Sequence, residues 1–479
     1  MPLATRRTAL AGLASLLTTT PFRSIAKPVY SSPKTADDTA SLQASLDAAR
    51  GATFVIPRGM SAVTTGLVLD GPGYDGTRIV VEGELKLLPN TDGYTTGGGP
   101  VAAAILVRDC DGVTIDVPGA LDGSIGAHTQ RLHNNHLVVV AGATNTSIPR
   151  LNCRNVGSDG VYVTMKEFNT TSKRTTNLHL GHISGQNLSA SGRDLITLID
   201  ANGVVVDSIF SLNIGGLIEG QRQPGGFCIE CNTADHKVEN VVVSSAYIRH
   251  QGTGGITCHS GNGSNIRFER FVSINDVSPT DVDQFGNRTQ ASRSNGFICT
   301  STADIYARGR VIFENAFGVG AVISNCSNPD IELTVGHVQI GARIGADLND
   351  VIGAGVIGGR IDIRVWNACR WGVQEGRVAG SKLIYHFPVG PLPGYYKALY
   401  GVYYAAQRAN HKNQKNVRTI NASYSADWTR LRRKDPTVGP DDNDFDNILS
   451  GNIANGYNDI DIFGGMSNKI LERIGTIQR

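Results

Sequence analysis

The chain has 479 residues, a formal net charge of +2 and only 18 % charged residues, with 57 glycines but 4 methionines and 3 tryptophans. This length allows a large core and more than one ordinary domain. The near-neutral charge argues against a nucleic-acid-binding protein, which usually carries a strong basic bias. Short apolar runs separated by Gly, Asn and Asp are typical of a β-rich, turn-rich protein.

The first 26 residues have the pattern of an export signal. Arg6 and Arg7 precede an apolar, small-residue run that ends near Thr20, and a small-x-small site lies at Ser24–Ala26. The run is too short to span a membrane. The paired arginines resemble the twin-arginine type of signal, with a Sec signal as the alternative. We therefore expect these residues to be removed, and the protein to be periplasmic or secreted and free of the membrane.

Residues 27–60 form an N-terminal segment with a predicted helix. Its features, in chain order, are a cap at Asp38 or Thr39, apolar positions Leu42, Leu46 and Ala49, a stop at Gly51, and the strand ATFVIP (52–57). We expect this helix to cover the apolar edge of the sheet structure that follows.

The remainder, residues 61–479, is one loosely repeated unit. Segments centred on a glycine recur about 24 to 41 residues apart: GSDGVYVT (157–164), GRDLITLI (192–199, with Leu195 for the glycine), GGFCIECN (225–232), GTGGITCHS (252–260), SNGFICTS (294–301), FGVGAVIS (317–324), RIGADLN (343–349), RWGVQEG (370–376) and LYGVYYA (399–405). Two or three short strands per repeat make one coil of a parallel β-helix. Helical periodicity is nearly absent after residue 50, which argues against a doubly wound α/β fold. From about residue 385 we expect irregular final coils with long loops.

A resemblance supports the same architecture. The stretch TADDTASLQASLDAARGATFVIPRG (35–59) resembles the N-terminal phrase of the pectate-lyase-like superfamily, which includes polygalacturonases, other polysaccharide-degrading enzymes and phage tailspikes. The resemblance implies an all-β fold, a right-handed parallel β-helix (solenoid) with an N-terminal capping helix. It indicates fold rather than reaction.

Aligning the repeats on their glycine predicts which side chains stack. Residues one and three positions after the glycine are apolar and point inward, and those two and four positions after it then face solvent. Asp159 and Asp194, each before the glycine position, share a column on adjacent coils. Glu230 and His259 share a second column, which Asp200 joins if its strand carries a bulge.

Paired carboxylates are the groups that glycosidases need. Neighbouring carboxylates raise each other's pKa, so that one serves as acid and the other as base or nucleophile. Their separation is about 5–5.5 Å in retaining and about 6.5–9.5 Å in inverting enzymes. Coils are about 4.8 Å apart, so one rung fits the first range, two rungs fit the upper limit of the second, and both outcomes stay open.

Two short motifs resemble those of the polygalacturonase family. SDG (158–160) is similar to its Asn-Thr-Asp-Gly motif, and GRDLITLI (192–199) to its paired-aspartate strand. This resemblance implies that Asp159 and Asp194 are the acid/base carboxylates. Arg193 stands where that family has the first paired aspartate, GTGG (252–255) stands where it has Gly-His-Gly, and no Arg-x-Lys triplet follows. We therefore predict an exported glycoside hydrolase of the same fold, distant from true polygalacturonases.

The other candidates have ordinary explanations beside the functional one. Glu230 is the single charged residue in FCIECN, and it is a catalytic candidate together with His259. The alternative for His259 is an ordinary surface histidine without a role in catalysis. An Asp before Gly is also ordinary turn chemistry. The residues assigned to substrate binding are Arg193, Asp200, Tyr162 and Arg249. Tyrosines 395, 396, 400, 403 and 404 suit a sugar-stacking platform, core packing or contacts in a homotrimer.

No metal or cofactor is predicted, because the eight cysteines follow no metal spacing. Cys258 and Cys299 are interpreted as buried small apolar residues. Three alternatives to hydrolysis of a polysaccharide or oligosaccharide stay open. A polysaccharide lyase acting on a uronate would use Arg193, Arg249 and His259. A fructan-cleaving transferase would use an Asp/Glu pair, and a tailspike-like glycan-binding protein would have no turnover.

Overall fold

The computed structural model describes the middle of the chain with several gaps. The described residues are 37–89, 94–96, 99–127, 135–167, 172–218, 221–222, 224–259, 262–276, 294–314, 318–345, 355–366, 371–389, 400–404, 413–414, 417–422, 432–433, 444–445 and 448–450. The predicted export signal, residues 1–26, and two of the tyrosines, Tyr395 and Tyr396, lie outside them.

The predicted N-terminal helix is confirmed. Helix α1 (Thr39–Ala48) buries Leu42 and Leu46 against strands β2 (Ser61–Thr64) and β3 (Leu67–Asp70). Asp38 stands at its N-terminus but does not cap it; its carboxylate instead accepts a 3.0 Å hydrogen bond from the Val63 N–H. Within the described residues, no helix combines the length and apolar character that crossing a membrane requires.

Two long sheets make up most of the rest of the described structure. The strands of the first are β1 (Thr53–Ile56), β2, β4 (Arg78–Val81), β5 (Glu84–Leu87), β8 (Thr114–Asp122), β10 (Ser147–Arg154), β12 (Thr175–Ser191), β14 (Ala201–Ile214), β18 (Lys237–Val243), β19 (Ala246–His250), β21 (Asn262–Asn275), β23 (Thr302–Phe313), β25 (Asp330–Gly336), β28 (Arg360–Trp366), β31 (Lys382–Val389), β34 (Val417–Ala422) and β37 (Ile448–Ser450). Those of the second are β3, β6 (Tyr94–Thr96), β7 (Gly99–Arg108), β9 (Asn135–Ala141), β11 (Asp159–Thr164), β13 (Asp194–Leu198), β17 (Phe227–Glu230), β20 (Gly254–His259), β22 (Asn295–Thr300), β24 (Val319–Ser324), β26 (Ile340–Ile344), β29 (Trp371–Glu375), β32 (Tyr400–Tyr404) and β35 (Arg432–Arg433).

Smaller elements complete the coils. They are the pair β15 (Leu217–Ile218) and β16 (Gln221–Arg222), the short strands β27 (Val356–Ile357), β30 (Val378–Ala379), β33 (Asn413–Gln414) and β36 (Asp444–Phe445), and two 3-10 turns (Pro72–Tyr74 and Ile125–Ala127). Among the described strands only the pairs β6–β7 and β15–β16 are antiparallel.

Each coil contributes one strand to the second sheet and then a longer path through the first. Strand β14 pairs in parallel with β18 through its first half and with β19 through its second half. The next coil repeats this pattern. Successive coils therefore stack in parallel, and the protein is a right-handed parallel β-helix, as predicted.

The interior is one continuous apolar column. Val161, Ile196, Phe227, Ile256 and Phe297 stack in register and are fully buried. The inward prediction for these positions is confirmed, as is the burial of Cys258 and Cys299. One repeat was misaligned: the stacked glycine of RIGADLN is not Gly345 but Gly341, on β26.

A row of asparagines shapes one corner of the coil. Asn177, Asn240 and Asn265 all have positive φ, between 53° and 58°. The amide of Asn265 donates to Asn240 Oδ1, and the amide of Asn240 donates to Asn202 Oδ1, each at 2.7 Å. Asparagine tolerates this left-handed conformation, and its amide lets the turns bond to one another as the coils stack.

An irregular hydrogen-bond pattern accompanies the direction of Asp194. The N–H groups of Leu195 and Ile196 both donate to the carbonyl of Gly226, at 3.1 and 3.0 Å. Both side chains enter the core, although neighbours on a regular strand point to opposite faces. With this irregularity, Asp194 lies on the outer face instead of inside.

The outer face of the second sheet is more covered than expected. Thr164, Thr197, Ile199, Cys228 and Thr257 were predicted to face solvent, yet each is buried. A second apolar cluster, separate from the interior, lies on this face: Ala103, Leu106, Val139 and Ala141, with Val68 and Tyr162 packed against it. The prediction of a solvated face was therefore wrong at these positions.

Candidate functional site

Two carboxylates meet on the outer face of the second sheet. Asp159 on β11 pairs in register with Asp194 on β13, and both side chains are completely buried. The prediction that these two residues share a column on adjacent coils is therefore confirmed. Adjacent coils place the two carboxyl groups about one rung apart, on the order of 4.8 Å.

Asp159 is surrounded by groups that favour its charged form. His136 Nδ1 lies 2.9 Å from its Oδ2, and the Thr197 hydroxyl donates to its Oδ1 at 3.0 Å. Arg193 Nε is 3.6 Å from Oδ1. Burial alone would raise the pKa of Asp159, but the Arg193 charge, His136 and Thr197 together hold it below its ordinary value.

Asp194 has the opposite environment. Neither of its carboxyl oxygens makes a well-formed hydrogen bond within the described residues. Burial and the adjacent Asp159 charge raise the pKa of Asp194 well above its ordinary value, and Arg193 and the Thr197 hydroxyl offset this only in part. The pair thus consists of one carboxyl whose pKa is lowered and one whose pKa is raised.

Arg193 links the pair to Glu230. Its Nη2 donates to Glu230 Oε2 at 3.1 Å, while its Nε faces Asp159. The Arg193 side chain is 18 % exposed and that of Glu230 34 % exposed. Asp159, followed by Glu230, raises the pKa of the guanidinium further. These two side chains form the accessible edge of the buried pair.

His136 is a member of the site that sequence reasoning missed. It lies on β9, one coil before Asp159, and its ring stacks on Tyr162 with centroids 4.4 Å apart. Its segment, His136-Leu137-Val138, matches Asp194-Leu195-Ile196, with leucine in place of the glycine in both. Extending the alignment one coil towards the N-terminus would have found it.

Gly192 holds the turn that presents Arg193 and Asp194. Its φ is +84°, and a Cβ at this position would lie 2.5 Å from the Val156 carbonyl oxygen. Glycine is therefore required here both for backbone conformation and for space.

The remaining predicted residues are placed as follows. Tyr162 lies in the site and burial raises its pKa. His259 pairs in register with Glu230, as predicted, and is exposed, with Nδ1 3.2 Å from the Thr300 hydroxyl.

Asp200 and Arg249 are engaged elsewhere. Asp200 does not join the column of Glu230; it is buried, accepts from Arg174 Nε at 2.7 Å, and accepts from the Lys237 N–H at 2.7 Å. Arg249 lies on the first sheet and pairs with Asp276 and Glu314, both at 3.0 Å. The structure thus joins Asp159, Asp194, Arg193, Glu230 and Tyr162 but gives Asp200 and Arg249 structural partners.

Two other features of the described residues bear on metal binding and on ligand access. The described part of the chain holds no cluster of three His, Cys, Asp or Glu side chains suited to a metal ion. An open groove of about 560 Å³ runs along the stacked turns beside the first sheet, lined in part by Lys237, Glu239, Asn262 and Thr302. It contains none of the predicted site residues.

No protein-family model matches the sequence, and no curated protein matches it significantly. Solved structures with a similar course of chain include the endo-xylogalacturonan hydrolase from Aspergillus tubingensis, with 13 % identity over 91 % of this chain and 97 % of that chain and a TM-score of 0.36. The N-terminal fragment of bacteriophage Phi29 gene product 12 has 11 % identity over 87 % and 84 %, with a TM-score of 0.43. A hyperthermoactive exopolygalacturonase from Thermotoga maritima has 11 % identity over 82 % and 85 %, with a TM-score of 0.32.

Proposed function

We propose that this protein is an exported glycoside hydrolase that cleaves a polysaccharide or oligosaccharide with Asp159 and Asp194. One observation carries the proposal: the pKa values of two paired carboxyl groups are shifted in opposite directions. Such a division is what acid/base cleavage of a glycosidic bond requires. The sequence resemblance of SDG and GRDLITLI to polygalacturonase motifs supports the same assignment.

The chemistry follows from the direction in which the pKa of each carboxyl is shifted. Asp194, protonated, donates its proton to the glycosidic oxygen as the bond to the leaving sugar breaks. Asp159, ionised, acts as the base for water or as the nucleophile. Arg193 and Glu230 at the accessible edge orient the sugar, and the Thr197 hydroxyl fixes the direction of the Asp159 carboxylate.

The direct test is a panel digest with the wild-type protein and two variants, Asp159→Asn and Asp194→Asn. Neutral, uronic and fructan polysaccharides are incubated with each, and both new reducing ends and absorbance near 235 nm are recorded. We expect reducing ends without absorbance, and a loss of turnover of at least about 100-fold in each variant. Absorbance would instead identify a lyase and move the assignment to His259 and Arg193.

A matched control distinguishes the loss of a catalytic carboxyl from the loss of a negative charge elsewhere on the protein. Asp207 is a half-exposed surface carboxylate that pairs with His179 at 3.0 Å on the first sheet. Asp207→Asn removes one carboxylate without touching the pair and should retain full turnover. Near-wild-type turnover in Asp194→Asn, with the control also active, would contradict the assignment.

A second candidate function is glycan binding without turnover, as in a tailspike-like protein. Complete burial of both aspartates favours it, because a catalytic pair must reach the scissile bond. Binding to an immobilised glycan with no reducing ends released over prolonged incubation would establish this alternative.

A further inference from the structure

The charge balance of the site points to the class of sugar it takes; this inference rests on the proposed function. A site for a uronic acid needs a cation that is available to the substrate carboxylate. Strands β9, β11, β13, β17, β20, β22 and β24 contain no lysine or arginine. Arg193, directly before β13, is the cation that the described contacts place beside the two aspartates.

Arg193 is already shared by two carboxylates. Its Nε faces Asp159 at 3.6 Å and its Nη2 donates to Glu230 at 3.1 Å. A third carboxylate, brought by a uronate, would compete with both and meet like charge on either side. Like charges placed together in a partly buried site are strongly unfavourable.

The other polar groups on this face suit hydroxyls instead. Asp194 lacks a well-formed hydrogen bond, and the buried Thr257 hydroxyl, two coils further on the same face, has no hydrogen-bond partner within the described residues. Glu230 is the most exposed carboxylate of the group. A neutral acid, a hydroxyl and a carboxylate acceptor can each bond to a sugar hydroxyl.

We propose that the glycan bound at this site is uncharged, and that Glu230 excludes uronic acids by occupying Arg193. A neutral sugar is recognised through its hydroxyls by Glu230, Asp194 and Thr257. The substrate differs in this respect from a polymer of uronic acids.

The test uses pairs of glycans that differ only in charge. Homogalacturonan and glucuronan are each compared with their carboxyl-reduced forms, in which every C6 carboxylate becomes a CH2OH group and the linkage is unchanged. Binding and kcat/KM are measured with the wild-type protein. We expect the reduced member to be preferred by about tenfold or more, with little dependence on salt. Equal or better use of the uronic member would overturn the inference.

A variant examines the cause of the preference. Glu230→Gln releases one bond of Arg193 and should move the preference towards the uronic member by about tenfold. Glu239→Gln is the matched control, since Glu239 pairs with Arg174 at 2.7 Å on the first sheet, and its preference should equal that of the wild type. An unchanged preference in folded Glu230→Gln would also contradict the inference.

The outcomes separate the two proposals. Preferential binding of the reduced member without cleavage of either would refute the hydrolase but support the uncharged ligand. Cleavage confined to the uronic member would support the hydrolase and refute the inference.

Discussion

Asp159 and Asp194 occupy paired positions on neighbouring coils, yet their pKa values are shifted in opposite directions. The difference arises because His136, Thr197 and Arg193 all favour the charged form of Asp159. The pKa of Asp194 is raised instead, because the side chain is buried and lies beside the negative charge of Asp159. Two adjacent rungs of a regular stack thus present two chemically distinct carboxyl groups.

The ionisation of Asp194 should make stability depend on pH. A carboxyl whose pKa is raised in the folded state costs stability once the pH exceeds its unfolded value, near 3.8, because only the unfolded chain ionises it freely. Asp194→Asn removes this cost. We expect the variant to match the wild type near pH 3.5 and to gain about 1.4 kcal/mol per pH unit above 3.8, up to the folded pKa. Urea unfolding from pH 3.5 to 8 measures this, and a gain that shrinks with rising pH would contradict it.

His136 should set the acidic limit of activity. His136→Gln removes the contact that helps to hold the pKa of Asp159 down, so the pKa of that carboxyl rises. The acidic limb of the pH–rate profile should move to higher pH, and kcat should fall by about tenfold. His179→Gln, at the surface pair with Asp207, is the control. A lower rate with an unmoved limb would assign His136 a packing role alone.

Gly192 should be intolerant of any side chain. Gly192→Ala places a Cβ 2.5 Å from the Val156 carbonyl oxygen at a φ of +84°. We expect a loss of at least about 1–2 kcal/mol from the backbone conformation, and a further loss of activity as Arg193 and Asp194 shift. Gly76→Ala has a similar φ of +69° with open space around it and should show only the stability loss. Equal activity in both alanine variants would refute the positional role.

The asparagine row should contribute to stability without affecting chemistry. Asn240→Ala loses two hydrogen bonds of 2.7 Å and places alanine at a φ of 58°. We expect a loss of about 2–4 kcal/mol in thermal or chemical unfolding. Asn240→Gly adopts the positive φ without strain. It should therefore recover the part of the lost stability that comes from the backbone conformation, but not the part that comes from the two hydrogen bonds. Turnover at a temperature where each variant is folded should equal that of the wild type.

The sequence was sufficient for the register because the repeats carry their own alignment. The glycine before each strand predicted that Asp159 lies beside Asp194 and that Glu230 lies beside His259. The alignment failed where the glycine is replaced or duplicated. Leu137 concealed His136, and the glycines of QIGARIG led to Gly345 instead of Gly341.

Other features depend on contacts that no local pattern records. Arg174, the partner of Asp200, is separated from it by 26 residues, and nothing around it marks that pairing. The burial of Thr197 and Thr257 on the outer face of the second sheet is likewise not visible in the sequence. Both residues occupy positions that an alternating strand pattern assigns to solvent.

The in-register stack also determines how the molecule comes apart. Each layer contacts mainly the layers before and after it, so its stability is a sum of nearest-neighbour terms. Fraying from the C-terminal side would have to remove eight described strands of the second sheet, β35 back to β17, before it reached β13. At the other side, helix α1 covers the first layer. Protease nicks and thermal fluctuations at the far turns would therefore shorten the solenoid while leaving Asp159 and Asp194 in place.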